Sequence, residues 1–268
     1  MNETRSQKPE VRIRKDNPSK KRKRRPWSIF NPLDFSQRSY QKELLDRDDI
    51  PFSDIARNMK ELEFINTHLG GHVITLEGFK KIFDQVDTNK KELIVCEIGC
   101  GGGDNLRVID NWCKSKNLRA ITIGIDMNRD CIEFAKTHTK LRHPQWINSD
   151  YRKISFTQKP DIIFNSLFCH HFNEVEMEEL LRWMKHYAQT GFFINDLHRH
   201  PLAYHSIKWL SRIFSRSYLV KHDAPLSVLR GFKKDELRHS LEMAGIINYQ
   251  IEWKWAFRWL VTYCNTKK

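Results

Sequence analysis

Between residues 90 and 265 the apolar positions fall into blocks of two kinds. Short, nearly continuous apolar runs recur at Leu93-Ile94-Val95-Cys96, at Ala120 to Asp126 (AITIGID), at Trp146-Ile147-Asn148, at Asp161 to Phe164 and at Gly191 to Asn195. Runs this short, rich in β-branched residues and bounded by turn residues, read as buried strands. Helical patterns separate them, at Asn105 to Trp112 and Asp130 to Thr137. Toward the end Ile251, Trp253, Trp255, Phe257 and Trp259 take alternate positions, which predicts one or two last strands or a hairpin around Ala256. Strands alternating with helices predict a parallel sheet covered on both faces, a Rossmann-like, doubly wound α/β fold.

Two further stretches carry the helical period. Ser53 is placed to cap a helix from Asp54 to about His68, whose Ile55, Met59, Leu62, Ile65 and Leu69 form one apolar stripe ended by Gly70-Gly71. Thr75 to Phe83 predicts a second helix. After the fifth strand, Leu202 to Phe214 is amphipathic, with Ile207, Leu210, Ile213 and Phe214 on one side and Lys208 and Arg212 on the other. Ser217 to Phe232 has no clear period and contains Pro225, and Lys234 to Ala244 predicts a further helix. The chain thus divides into a tail at 1–27, a helical segment at 28–89 and an α/β domain at 90–268 with an insertion at 201–230. An insertion of that length at the ligand-binding edge is expected to cap a substrate, and the alternative is a helix resting on a membrane surface.

Candidate chemistry starts at residues 95–105, VCEIGCGGGDN. A strand runs into Glu97, then into a turn with Gly99, Gly101 and Gly103, then into a helix opening near Asn105. Such a corner binds nucleotide-like ligands, because glycine permits positive φ and close approach to the backbone. No Lys-Ser/Thr pair follows, which excludes a phosphate loop, and the spacing G-x-G-x-G differs from the dinucleotide pattern. The second strand ends in Asp126, 126 − 103 = 23 positions past the last glycine. An acid there suits ribose hydroxyls. These residues resemble the first two motifs of the class I S-adenosylmethionine-dependent methyltransferases, and the stretch from Asn195 to Phe232 is similar to bacterial enzymes of that class acting on small aromatic or polyketide-type compounds. The resemblance implies a seven-stranded sheet, mostly parallel, with an antiparallel last strand inserted between the fifth and the sixth. It implies that the helical segment forms a lid, and that S-adenosylmethionine is held by Glu97, Gly99, Cys100, Gly101, Gly103, Asn105, Asp126, Met127, Asp150, Tyr151 and Asn165. Glu97 would face the cofactor's ammonium group, and Asp150 and Tyr151 its adenine.

Methyl transfer to a neutral hydroxyl is helped by a base, and histidine titrates near neutrality. His170 and His171 follow the fourth strand, and His198 and His200 follow the fifth. His171 or His170 is the first candidate base and His198 the next, with Asp196 placed to orient an imidazole. No spacing matches a standard metal site, so none is expected. The expected reaction is O-methylation of a small phenolic or polyketide-like acceptor, hydrophobic compounds included. Quinone-type C-methylation, RNA methylation and a non-catalytic accessory role are the alternatives. Asn165-Ser166-Leu167-Phe168 lacks the prolines of adenine-amine methyltransferases, and Cys169 has no proline before it as cytosine-C5 enzymes do.

Net charge is +13, and the first 25 residues supply 11 − 3 = +8 of it from eleven Lys or Arg and three acids. The run KKRKRR at 20–25 is expected to be disordered and to give weak contact with nucleic acid or an anionic membrane. Six cysteines lie scattered without C-x-x-C pairs, which reads as reduced thiols. No apolar run reaches the roughly 18 residues of a membrane span, and no secretory signal pattern is visible. The expected location is the cytoplasm, with a peripheral place at the membrane as the alternative. Oligomeric state is not legible.

Overall fold

The computed structural model describes residues 33–47, 49–86 and 92–265. The basic tail at 1–27 lies outside them. Phe35 onward forms one compact unit. Seven strands, β1 (Glu92–Ile98), β2 (Arg119–Asp126), β3 (Pro144–Asn148), β4 (Ile162–Ser166), β5 (Gly191–Leu197), β6 (Tyr249–Lys254) and β7 (Arg258–Cys264), form one sheet in the order β3-β2-β1-β4-β5-β7-β6. β1 to β5 are parallel, and β7 lies antiparallel between β5 and β6. The order reverses beside β1, so the carboxyl ends of β1, β2 and β4 flank one crevice, the usual ligand position in open α/β sheets.

The two-residue strand period sorts side chains onto two cores. Ile94, Cys96 and Ile98 of β1 face the core shared with Met177, Leu180 and Leu241. Leu93 and Val95 face the other, shared with Phe79, Leu106 and Ile109. The helices behind these residues are α2 (Gly71–Phe83) and α3 (Asp104–Ser115) on the second face, and α5 (Glu174–Tyr187) and α8 (Lys234–Met243) on the first. Helix α4 (Arg129–His138) joins β2 to β3, and α1 (Phe52–His68) packs Ile55 and Met59 against its Cys131 and Phe134.

Some local expectations fail for identifiable reasons. Helix α1 starts at Phe52 after Pro51, and Ser53 lies inside the first turn and caps nothing. Helix α2 starts at Gly71, four residues before Thr75, because Gly70 at φ +79° makes the entire turn. The aperiodic stretch after residue 217 is a helix, α7 (Tyr218–Arg230), with Pro225 inside it. Proline removes one backbone hydrogen bond, but Leu219, Val220, Leu226 and Val228 are buried around α7 and hold it. A helix buried on several sides has no single stripe to show. Helix α6 (Pro201–Phe214) turns Ala203, Tyr204 and Ser211 inward, while Leu210, Ile213 and Phe214 are exposed.

Candidate active site

A cavity of about 690 Å3 opens at the carboxyl ends of β1 to β4, within the range of roughly 300–1,000 Å3 typical of small-molecule sites. Its floor is the turn after β1. Gly99, Gly101 and Gly103 have φ of +67°, +50° and +77°. At Gly99 a Cβ would lie 2.1 Å from Phe168, so only glycine lets that ring close over the turn. Gly99 N–H and Cys100 N–H donate to the Ile125 carbonyl, and Gly101 N–H donates to Asp126 Oδ2 at 2.9 Å. The Asn128 N–H donates to Asp126 Oδ1. Asp126 is thus fixed at the rim of the cavity, and burial raises its carboxyl above the usual range. Cys100, Asn105 and Met127 also line the cavity. Gly103 does not: it starts α3, and Trp146 occupies the space a Cβ would need.

Glu97 is displaced from its expected role. It shares the strand face of Val95, so it points under α3, is fully buried and does not line the cavity. Its Oε1 accepts from Asn105 Nδ2 at 3.0 Å, and Oε2 has no partner among the described residues. Burial, with Asp104 and Asp126 close by, pushes its carboxyl well above the carboxylate range. The acid on the cavity wall is Asp104, the first residue of α3. Burial works to raise it, but the hydrogen bonds from His72 Nε2 at 2.7 Å and Asn66 Nδ2 at 3.2 Å outweigh that and hold it below the usual value. Its signal was an acid directly after the glycine turn.

Asp150 and Tyr151 line the cavity, but the Asp150 carboxylate is already in a two-pronged pair with Arg152 (Nη2–Oδ2 2.6 Å) and caps the turn Tyr151–Lys153. Asn165 leaves the site: it stands on the Ile163 face under α5, where it contacts Met184 Sδ and accepts from the Cys169 thiol. Ser166 Oγ and Tyr151 Oη, both on residues that line the cavity, are buried without a partner among the described residues.

The histidines separate. His198 does not line the cavity; it accepts from Trp253 Nε1 beside Trp259, and burial lowers its pKa to about 4. His170 is buried, with Nδ1 2.7 Å from Asp196 Oδ1 and Nε2 3.5 Å from Glu43 Oε1. Burial would lower it, but the two carboxylates raise it to about 9, so it is a held imidazolium and no base. His171 lines the cavity, with Nδ1 3.4 Å from Asp46 Oδ1 and Nε2 3.6 Å from Glu43 Oε2. Against burial, His170 and His171 draw the Glu43 carboxyl down to about 2, and His171 draws Asp46 down as well. Neither acid stood out in the sequence, because both sit in a short segment without period. Donor atoms of Glu43, His170 and His171 lie within 4.8 Å of one another, a set able to take a metal ion as well as protons. Leu45, Ile50, Ile55, Met59 and Leu62 roof the cavity, and no residue of 201–230 lines it. Residues of the helical segment thus roof the cavity, and α7 backs them: Asp223 accepts from Leu44 N–H and Leu45 N–H, and Ser227 Oγ donates to Glu43.

Residues 95–191 match the family model described as a methyltransferase domain. Among solved structures the chain is similar to the plantazolicin methyltransferase BpumL in complex with SAH, at 17% identity over 81% of this chain and 95% of that one, TM-score 0.59. It is also similar to human N-acetylserotonin methyltransferase in complex with SAM, at 15% identity over 81% and 57% of the two chains, TM-score 0.55. The plantazolicin methyltransferase BamL in complex with a triazolic desmethylPZN analog and SAH matches at 18% identity over 75% and 70%, TM-score 0.53. No curated protein matches the chain. With the sheet order β3-β2-β1-β4-β5-β7-β6 and the glycine corner after β1, the chain has the class I methyltransferase fold, and its residues 95–191 match the methyltransferase-domain model.

Proposed function

We propose that the protein binds S-adenosylmethionine and catalyses O-methylation of a small, flat and largely apolar acceptor, phenolic or polyketide-like. One observation carries this reading: a single cavity has the glycine turn, Asp104 and Asp126 on one side, an apolar roof above, and His171 between two carboxylates. The residues fit the cofactor. Asp104 supplies a negative charge for an ammonium group, and Asp126 retains lone pairs for ribose hydroxyls. Bound there, the cofactor supplies a methyl group on a positively charged sulfur. His171, on the cavity wall with Nδ1 3.4 Å from Asp46 Oδ1 and Nε2 3.6 Å from Glu43 Oε2, is the candidate to take the proton of the acceptor hydroxyl. Glu43 then stabilises the imidazolium that forms. Leu45, Ile50 and Phe172 keep water from the reacting oxygen.

The test is incubation with methyl-labelled cofactor and a panel of phenols, quinones and RNA, beside calorimetry with S-adenosylhomocysteine. The expected product is a methyl ether of a phenol. No binding of S-adenosylhomocysteine would sink the enzymatic reading, and turnover confined to quinone carbon or RNA would sink the acceptor.

A further inference from the structure

We propose that the outer face of helix α6 seats the protein on an anionic lipid surface. The helix is amphipathic the wrong way round for a soluble fold. Ala203, Tyr204 and half-buried Ile207 pack against Val228 and Phe35, and the opposite face carries Leu202 (62% exposed), Trp209 (69%) and Ile213 (61%). At about 100° per residue these three lie within one narrow stripe. Phe214, 74% exposed, adds apolar surface at the helix C-terminus, outside this stripe. Exposed apolar surface continues at the α6 N-terminus. His200, which caps the helix, stacks on Phe257 at 5.0 Å, and the exposed Trp253 and Trp255 adjoin that ring. A contiguous apolar patch of this kind marks an interaction surface.

Charge selects the occupant. Residues 201–221 hold Lys208, Arg212, Arg216 and Lys221 and no acid. Arg212, Arg216 and Lys221 are exposed and pair with no carboxylate among the described residues. Exposed Arg212 borders one side of the apolar stripe, and Lys208 lies further round on that side against Tyr204, so the cations gather along one edge of the apolar face, as on helices that lie at a bilayer surface. The chain enters the domain at this same place: Phe35 packs edge-on against Tyr204 at 5.8 Å, and Arg199 donates to the carbonyls of Phe35 and Ser36. The first 25 residues, with eleven cations and three acids, add further positive charge to the same chain. Each cation near an anionic bilayer adds attraction that falls off within a Debye length. A second copy fits poorly, because a symmetric contact would bring the same cations together. Nucleic acid has no use for the apolar stripe.

The test reads binding by the full chain, so it does not depend on the methyl acceptor. Flotation compares vesicles of phosphatidylcholine with vesicles of phosphatidylcholine and phosphatidylglycerol in equal parts. The expected result is partition onto the anionic vesicles and a blue-shifted Trp209 emission. The double variant Trp209→Ser/Phe214→Ser should lower partition at least about tenfold, given the apolar area removed from the bilayer. Deleting residues 1–26 should weaken it while leaving dependence on Trp209 and Phe214. S-adenosylhomocysteine affinity and thermal unfolding of the double variant should match the parent, since these side chains are exposed and do not line the cavity. Equal partition of double variant and parent would overturn the proposal. So would loss of all binding on deleting the tail with no effect of Trp209→Ser/Phe214→Ser, or a dimer that these substitutions dissolve.

Discussion

His170 and His171 are consecutive, yet only His171 reaches the cavity, because the one-turn helix Cys169–His171 sends successive side chains in different directions. His171→Gln should therefore lower kcat by about 10²–10⁴-fold and leave the S-adenosylhomocysteine affinity unchanged. His170→Gln should act on stability: with Asp196 and Glu43 left as unpaired buried carboxylates, a loss of roughly 3–5 kcal/mol is expected in denaturant unfolding. The pH dependence follows the same network. The His170 pKa is raised from 6.5 to about 9, so its stabilisation is complete below 6.5 and is lost as pH rises through 9. Glu43 is lowered from 4.5 to about 2, so its stabilisation is complete above 4.5 and is lost as pH falls toward 2. Thermal unfolding should plateau between these limits and fall on either side, and His170→Gln should flatten the alkaline limb. The two acids of the glycine corner should separate too. Asp104→Asn removes a carboxylate from the cavity wall and should weaken S-adenosylhomocysteine binding about tenfold or more, whereas Glu97→Gln is a near-isosteric change at a carboxyl that burial pushes up and that does not line the cavity, and should cost less. Calorimetry distinguishes them, and an equal loss would return the ammonium contact to Glu97.

Helix α7 is where an element rather than a residue decides the chemistry. Asp223 accepts the Leu44 and Leu45 N–H groups at 2.9 and 3.0 Å, and Arg230 donates to the Gln41 and His170 carbonyls. These bonds fix the short segment that brings Glu43 and Asp46 to His171. Asp223→Ala should cost about 1–3 kcal/mol for the donors it strands. It should depress turnover more than cofactor binding, because the glycine turn does not rest on α7. Unfolding midpoints and kcat measured together with S-adenosylhomocysteine affinity would show whether the two separate. This dependence was not legible in the sequence. Strands β1, β2, β4 and β5 announce themselves because strands buried on both faces are nearly continuous apolar runs, and the hairpin around Ala256 because its alternation is regular; β3, at the sheet edge, is exposed or half-buried throughout. Helix α7 is surrounded, so it shows no period, and Pro225 argues against it. The segment at residues 43–46 gets its meaning from contacts more than 100 positions away. The same limit explains Glu97 and Asn165: the sequence put them at strand ends, but only the pleat tells which face each takes.

For the whole molecule the net charge of +13 misdescribes the site. The cavity wall carries five aspartates, Asp46, Asp104, Asp126, Asp130 and Asp150, against Arg47, Arg129 and Arg152, while +8 of the charge belongs to the first 25 residues. The candidate site at the sheet's carboxyl edge and the basic tail are thus drawn from separate stretches of the sequence. Among the described residues the cavity lining begins at Leu45, and the buried cores begin at Ile55. Removal of residues 1–26 should then leave S-adenosylhomocysteine affinity, unfolding midpoint and turnover on a water-soluble phenol within about twofold of the full chain, as expected for sites without shared contacts. The comparison must use a soluble acceptor, because an acceptor dissolved in lipid would report the α6 surface as well. If turnover on the soluble phenol collapses while S-adenosylhomocysteine still binds, the tail belongs to the acceptor site. An anionic polymer such as RNA then becomes the better substrate reading, and its methylation should fall steeply with salt.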